Sequence, residues 1–135
     1  MFVLDASVVA SWCFPDESHP NAETAFHRIA DETASVPALL WFEVRNVLLM
    51  GERRNRLSEA QTVRFLKYIG ELPIEVDRDP DDHVVMSLAR THRLSVYDAA
   101  YLELAQRKAL PLATLDNALI NAARAEKLPL VGEGL

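Results

Sequence analysis

Short apolar runs that stop at a polar residue alternate along this chain with longer stretches in which apolar residues return every third or fourth position. Phe2-Val3-Leu4 is a compact run of strand formers ended by Asp5, and it reads as a buried strand. Ser7 is placed to cap a short helix reaching about Trp12, and the turn cluster Pro15-Asp16-Glu17-Ser18 leads into a helix over about Asn21 to Glu32. Ser35-Val36 is a brief extended piece closed by Pro37. From Ala38 to Arg54 the helical period is strong: Leu40, Val44, Val47 and Leu48 stand at i, i+4, i+7 and i+8, with no Gly or Pro before Gly51.

Ser58-Glu59-Ala60-Gln61 has the S-x-x-Q form of a capping box and opens a helix to about Ile69, with Gly70 as its stop. Pro73 to Asp77 alternates apolar and polar residues as a strand does. Asp79-Pro80-Asp81-Asp82 then offers an N-cap, a proline at the first helical position and first-turn acids for a helix to about His92. Ser95 caps a helix over about Val96 to Arg107, Pro111 to Thr114 is a strand, Asn117 to about Glu126 a helix, and Leu130-Val131 a last strand. Strands alternating with helices from end to end predict a single α/β domain over residues 1–135. Its form is a three-layer α/β/α sandwich with a mainly parallel central sheet, without linker, repeat or low-complexity segment.

At 135 residues, half hydrophobic and a quarter charged, the chain has the balance of a soluble globular protein. Folding at this length buries roughly two thirds of the unfolded surface, so the core needs no disulfide or structural metal. The single cysteine, Cys13, has no internal partner, and His19, His27, His83 and His92 form no H-x-x-x-H pair, so no zinc site is expected. The apolar run from Val8 to Phe14 is broken by Ser11 and preceded by Asp5, which suits neither a leader nor a membrane span and makes the cytoplasm the expected compartment.

A formal charge of −6 argues, taken alone, against a protein that coats a nucleic-acid backbone with positive charge. The charge is segregated, however. From Val44 to Tyr68 six basic residues (Arg45, Arg53, Arg54, Arg56, Arg64 and Lys67) stand against two acids, whereas Glu71 to Asp82 holds six acids against Arg78. The basic stretch is a candidate phosphate-contact surface, above all Arg45, Arg53, Arg54 and Arg56. The plainer reading is that its arginines close a helix against the negative end of its dipole.

Most of the acids suit solvated helix faces, but four occupy unusual places. Asp5 ends an apolar strand, and Asp116 follows the strand residue Thr114 by two; in a parallel sheet all strand C-termini share one edge, where open α/β proteins hold ligands. Glu43 lies among Leu39, Leu40, Trp41, Phe42 and Val44 and shares a helical stripe with Asn46, Val47 and Met50. Asp98 stands in a helix's first turn, in line with Tyr101 and Leu102. Helices that follow strands aim their N-termini at the same edge, so the four carboxylates can converge.

Singly, Asp5, Asp98 and Asp116 also read as turn or cap residues, first-turn acids contributing about 0.3 to 1 kcal/mol through the dipole. Glu43 among large apolar residues needs a partner or a raised pKa. Jointly the four charges repel, and no Lys or Arg is placed beside Asp5, Asp98 or Asp116 to pair with them. A hard divalent ion held by oxygens, Mg²⁺ or Mn²⁺, relieves the repulsion most simply.

Four blocks, Phe2-Val3-Leu4-Asp5-Ala6-Ser7, Trp41-x-Glu43-Val44-Arg45-Asn46-Val47-Leu48, Leu94-Ser95-Val96-Tyr97-Asp98-Ala99-Ala100-Tyr101-Leu102 and Leu112-Ala113-Thr114-Leu115-Asp116, resemble the PIN-domain ribonucleases in order and spacing. The likeness spans almost the whole chain, and it is closest to the VapC toxins of bacterial toxin-antitoxin pairs. The resemblance implies that Asp5, Glu43, Asp98 and Asp116 hold Mg²⁺ or Mn²⁺, with Ser7, Asn46 and Thr114 supporting the pocket. The fourth acid of the family shifts in position and is sometimes replaced. Asn117 follows it here where the family often has a basic residue, a departure that bears on phosphate contact from this loop and not on the acidic cluster.

Further implied are an RNA substrate, a homodimer, and a VapB-like antitoxin whose C-terminal segment covers an apolar groove. Val8, Val9, Trp12, Leu48 and Leu49 are candidates for such surfaces, the plainer reading being that they fill the core. Trp12, Phe14, Trp41 and Phe42 read as core or interface residues rather than base-stacking platforms. In the expected reaction Asp5, Glu43 and Asp98 position one ion, Asp116 supports it or a second, and a bound water hydrolyses the phosphodiester to leave 5′-phosphate and 3′-hydroxyl ends. Two alternatives stand beside it. One is a receiver-like phosphotransfer domain, with Asp77 as the phosphorylated residue, although no lysine is suitably placed. The other is a catalytically silent PIN-like binding module.

Overall fold

The computed structural model describes residues 1–133; Gly134 and Leu135, the end of the expected domain, lie outside the described residues. Strands β1 (Phe2–Leu4), β2 (Ala34–Pro37), β3 (Ile74–Asp77) and β4 (Leu112–Ala113) form one sheet in the order β3-β2-β1-β4. Every pairing is parallel, with Phe2 opposite Ala34, Ala34 opposite Ile74 and Val3 opposite Leu112. From β1 the chain steps to β2 and β3 on one side, then returns to place β4 on the other. The order therefore reverses between β1 and β4, and a crevice at such a reversal is where open α/β sheets bind ligands.

Helices α1 (Ala6–Ser11), α2 (Pro20–Arg28), α3 (Leu40–Arg53), α4 (Glu59–Gly70), α5 (Asp82–His92), α6 (Val96–Lys108) and α7 (Asn117–Ala125) flank the sheet and complete the expected α/β/α sandwich. Phe2, Val3 and Leu4 are fully buried, as a central parallel strand covered on both faces requires. The α6 helix buries Ala99, Tyr101, Leu102, Glu103, Leu104 and Ala105 in near-continuous sequence. It has no solvent stripe over these residues because it packs against β1, β2, β4, α5 and α7 together.

Several local expectations are corrected. The cap of α1 is Asp5 and not Ser7: the Asp5 carboxylate accepts from the Val8 amide, and Ser7 lies inside the helix. The α5 cap is Asp81 and not Asp79, so Pro80 precedes the helix instead of occupying its first position. Helix α2 stops at Arg28, four residues short of Glu32, and the last strand reduces to a single bridge between Leu112 and Leu130. The Ser58 capping box and the Ser95 cap form as expected. Trp41 and Phe42 are exposed, Phe42 by 72%, so neither belongs to the core, whereas Val8, Val9 and Leu48 are fully buried and offer no surface to a partner. No described helix is long and apolar enough to cross a membrane.

Candidate active site

A cavity of about 260 Å³ opens at the crevice between the C-terminal ends of β1 and β4, and its lining includes Asp5, Ser7, Glu43, Asn46, Val47, Asp98, Tyr101 and Asp116. The topology brings these side chains together from four directions. Asp5 follows β1, Asp116 follows β4 as the N-cap of α7, Glu43 is in the first turn of α3, and Asp98 is in the first turn of α6. All four acids named from the sequence thus reach one cavity, and among the described residues no Lys or Arg lines it.

Hydrogen bonds fix the carboxylates from below. Ser7 Oγ donates to Asp5 Oδ1 at 2.6 Å, the Val8 amide donates to the same oxygen at 3.1 Å, and the Leu115 amide donates to Ser7 Oγ at 2.9 Å. Ser7 therefore ties the end of β1 to the loop after β4. Thr114 is buried beneath the cavity rather than on its lining; its hydroxyl accepts from the Asp116 amide at 3.0 Å, and Asp116 Oδ1 accepts from Leu119 at 2.9 Å. Asn46 is exposed on the α3 stripe that carries Glu43.

Tyr101 is the residue whose role was missed. It is buried and donates its phenol to Glu43 Oε1 at 2.7 Å, answering the need of a glutamate set among apolar neighbours. The signal was present: Tyr101 stands three residues after Asp98 on the same inward stripe, and a buried tyrosine hydroxyl seeks an acceptor.

Burial pushes the Asp5 carboxyl up to about 6, the charge of Glu43 adding to the effect while bonds from Ser7, Thr114 and Val8 oppose it. Burial likewise raises Glu43, with Asp98 reinforcing and Tyr101 opposing, and it raises Asp98, with Asp116 reinforcing and Ser95 opposing. Burial and then Glu43 hold the Tyr101 phenol protonated. Three carboxylates raised by desolvation and by neighbouring carboxylates form a site that favours a cation.

The donors are all oxygen, which suits a hard divalent ion. The acids line the cavity without meeting at a point: among the described residues no three acidic, histidine or cysteine side chains are grouped tightly enough to clasp one ion as they stand. Asp5, Glu43 and Asp116 each have one oxygen bound to a hydrogen-bond donor in the protein.

The four candidate arginines separate. Arg45 lies 3.6 Å above the Trp41 ring, Arg53 is exposed at the end of α3, and Arg54 is exposed beside a second cavity. Arg56 is engaged, with Asp16 at 3.0 Å and Glu17 at 3.2 Å. The residue required by a phosphotransfer reading, Asp77, ends β3 at the edge of the sheet, outside the acidic cavity. It is bound by Arg107, with Lys108 at 3.8 Å. A receiver needs that aspartate after a middle strand.

Residues 2–125 match the family model described as PIN domain. The chain is 34% identical to "Ribonuclease VapC3" of Pyrobaculum aerophilum over 135 aligned positions, which cover 94% of each protein. Its fold is similar to the crystal structure of PAE2754 from the same organism, with a TM-score of 0.70 and 25% identity over 90% of this chain and 83% of that one.

Proposed function

The chain belongs to the PIN-domain family, and from that premise we propose that it is a metal-dependent endoribonuclease, the toxin of a VapBC-type pair. The observation that carries the reading is the cavity at the β1/β4 crevice, lined by four carboxylates and, among the described residues, by no basic side chain. The ribonuclease name of a relative matching 94% of the chain supports the same activity.

Asp5, Glu43 and Asp98 would hold the ion, with Asp116 supporting it or a second one. Bound there, Mg²⁺ or Mn²⁺ supplies neutralisation of phosphate charge and a lowered pKa for water. The chain's own residues do the positioning. Ser7 and the Val8 amide fix Asp5, and Ser7 also fixes the loop that carries Asp116. Tyr101 orients Glu43 by holding Oε1, leaving Oε2 directed by the rotamer so set. Burial raises both Glu43 and Asp98, so each carboxyl holds a proton more readily than a free one when no cation is present, which eases the repulsion within the cavity.

The same proposal includes a VapB-like antitoxin and a homodimer in the cytoplasm. Support for the antitoxin is an aromatic surface between α1, α2 and α4, where Trp12 meets Phe26 at 5.4 Å and Phe26 stacks on Tyr68 at 6.4 Å. Support for self-association is the exposed pair Trp41 and Phe42 at the start of α3.

Purified protein incubated with end-labelled cellular RNA tests the activity. Cleavage that requires Mg²⁺ or Mn²⁺, stops with EDTA and leaves 5′-phosphate ends is expected. Absence of metal-dependent cleavage from every RNA fraction would reject the ribonuclease reading and favour a silent binding module.

A further inference from the structure

A second cavity, of about 240 Å³, adjoins the acidic one. Asn46 and Val47 line both, so the two form one continuous groove. Its floor is a single stripe of α3 and its C-cap: Glu43, Asn46, Val47 and Met50 follow one another at helical spacing and Arg54, the C-cap, continues them. At 1.5 Å per residue the stripe runs about 16 Å from the acid to the base, a few nucleotides of an extended strand. Along it the charged lining changes from the four carboxylates to Arg54 and Arg56 with Glu17.

The far end is built around Phe14. Its buried ring lies beneath the Arg56 guanidinium at 4.3 Å and packs closely on α3 at Gly51, where an added Cβ would stand 2.8 Å from Phe14 Cζ. Arg56 Nη2 donates to both oxygens of Asp16 at 3.0 Å, and Nη1 donates to Glu17 at 3.2 Å. These carboxylates take the guanidinium fork that a phosphate would take. Arg54, exposed on the same cavity, forms no salt bridge among the described residues.

We propose that this second cavity is a phosphate subsite for the RNA strand beside the cleaved bond, in which Arg54 holds a backbone phosphate while Asp16 and Glu17 hold Arg56 back. The proposal rests on the ribonuclease reading and adds to it a direction for the strand, along α3, and an intramolecular competitor for phosphate. Asp16 and Glu17 set how tightly the groove grips RNA.

Equilibrium binding of a short fluorescein-labelled single-stranded RNA to the full chain, in EDTA and across a series of KCl concentrations, tests it. One phosphate contact contributes about 0.7 to the slope of log affinity against log salt, which amounts to about fivefold at 0.1 M. Arg54→Ala is expected to lose that factor and that slope, while Arg54→Lys keeps the slope. Asp16→Asn combined with Glu17→Gln frees Arg56 and is expected to gain a similar factor. Arg90→Ala, on α5 away from the groove, serves as the charge control and is expected to change neither.

If the full chain binds and cleaves RNA but Arg54→Ala matches it, or Arg90→Ala loses as much, the subsite is wrong and the ribonuclease reading stands. A carboxylate double variant that binds no tighter overturns the role given to Asp16 and Glu17. A full chain that neither binds nor cleaves RNA removes both readings together.

Discussion

Replacing Asp5 with Asn should make the metal-free protein more stable while abolishing its activity. The side chain is 4% exposed, and Asn keeps its shape and an oxygen able to accept from Val8 and Ser7, so the substitution removes little besides the charge. Burial lifts the folded-state carboxyl from 3.8 to about 6. Between those values the unfolded chain has shed the proton and the folded chain retains it, so stability falls as pH rises through the window and the loss is complete above it. At about 1.4 kcal/mol per pH unit, the ionised carboxylate costs the fold about 3 kcal/mol at neutral pH. For a chain of this size that corresponds to a rise in Tm on the order of 10 °C for Asp5→Asn. Denaturation in EDTA at a series of pH values measures it: the two proteins should coincide near the acid end and separate as pH rises to neutrality. A variant less stable than the parent at neutral pH, or a gap of the same size at both ends, would refute the reasoning.

Three other substitutions probe the supports of the site and the core. Tyr101→Phe leaves Glu43 Oε1 without its buried donor and should cost about 1 to 2 kcal/mol in urea denaturation, with a slower cleavage step because Glu43 is no longer oriented. Gly51→Ala drives a methyl against Phe14, so despite the better helix propensity of alanine it should destabilise by about 1 to 3 kcal/mol in thermal melts. Arg107→Ala strips the cation from Glu103, which is 1% exposed, and should cost about 3 kcal/mol or more, with Glu103→Gln in the same chain recovering part of it; equal stability of the single and double variants would contradict the pairing.

The alternation of strands and helices was legible because buried parallel strands and amphipathic helices leave different periods, and the edge on which Asp5 and Asp116 fall follows from parallel topology alone. Asp5 against Ser7 as the α1 cap was not legible: both residue types cap helices, and the choice depends on where β1 stops pairing. Asp81 displaced Asp79 at α5 for the same kind of reason, since three acids compete within four positions. The exposure of Trp41 and Phe42 was hidden because apolar residues on all sides of a short segment carry no period to separate inside from outside. The engagement of Arg56 by Asp16 and Glu17 joins residues 39 and 40 positions apart, which tertiary packing such as that of Phe14 on Gly51 brings together. That Asp5, Glu43, Asp98 and Asp116 fall on one cavity was readable from sequence, whereas the hydrogen bonds that Ser7, Tyr101 and Leu119 make to three of them were not.

The central claim is that the four-carboxylate cavity is where a divalent ion binds. Titration of the metal-free protein with Mn²⁺, followed by the loss of the free-ion electron paramagnetic resonance signal, measures this without reference to any substrate. The account predicts saturable binding that weakens at least tenfold in both Asp5→Asn and Glu43→Gln and is unchanged in Asp31→Asn, an exposed acid outside the cavity. Binding that persists undiminished in the Asp5 and Glu43 variants would contradict it.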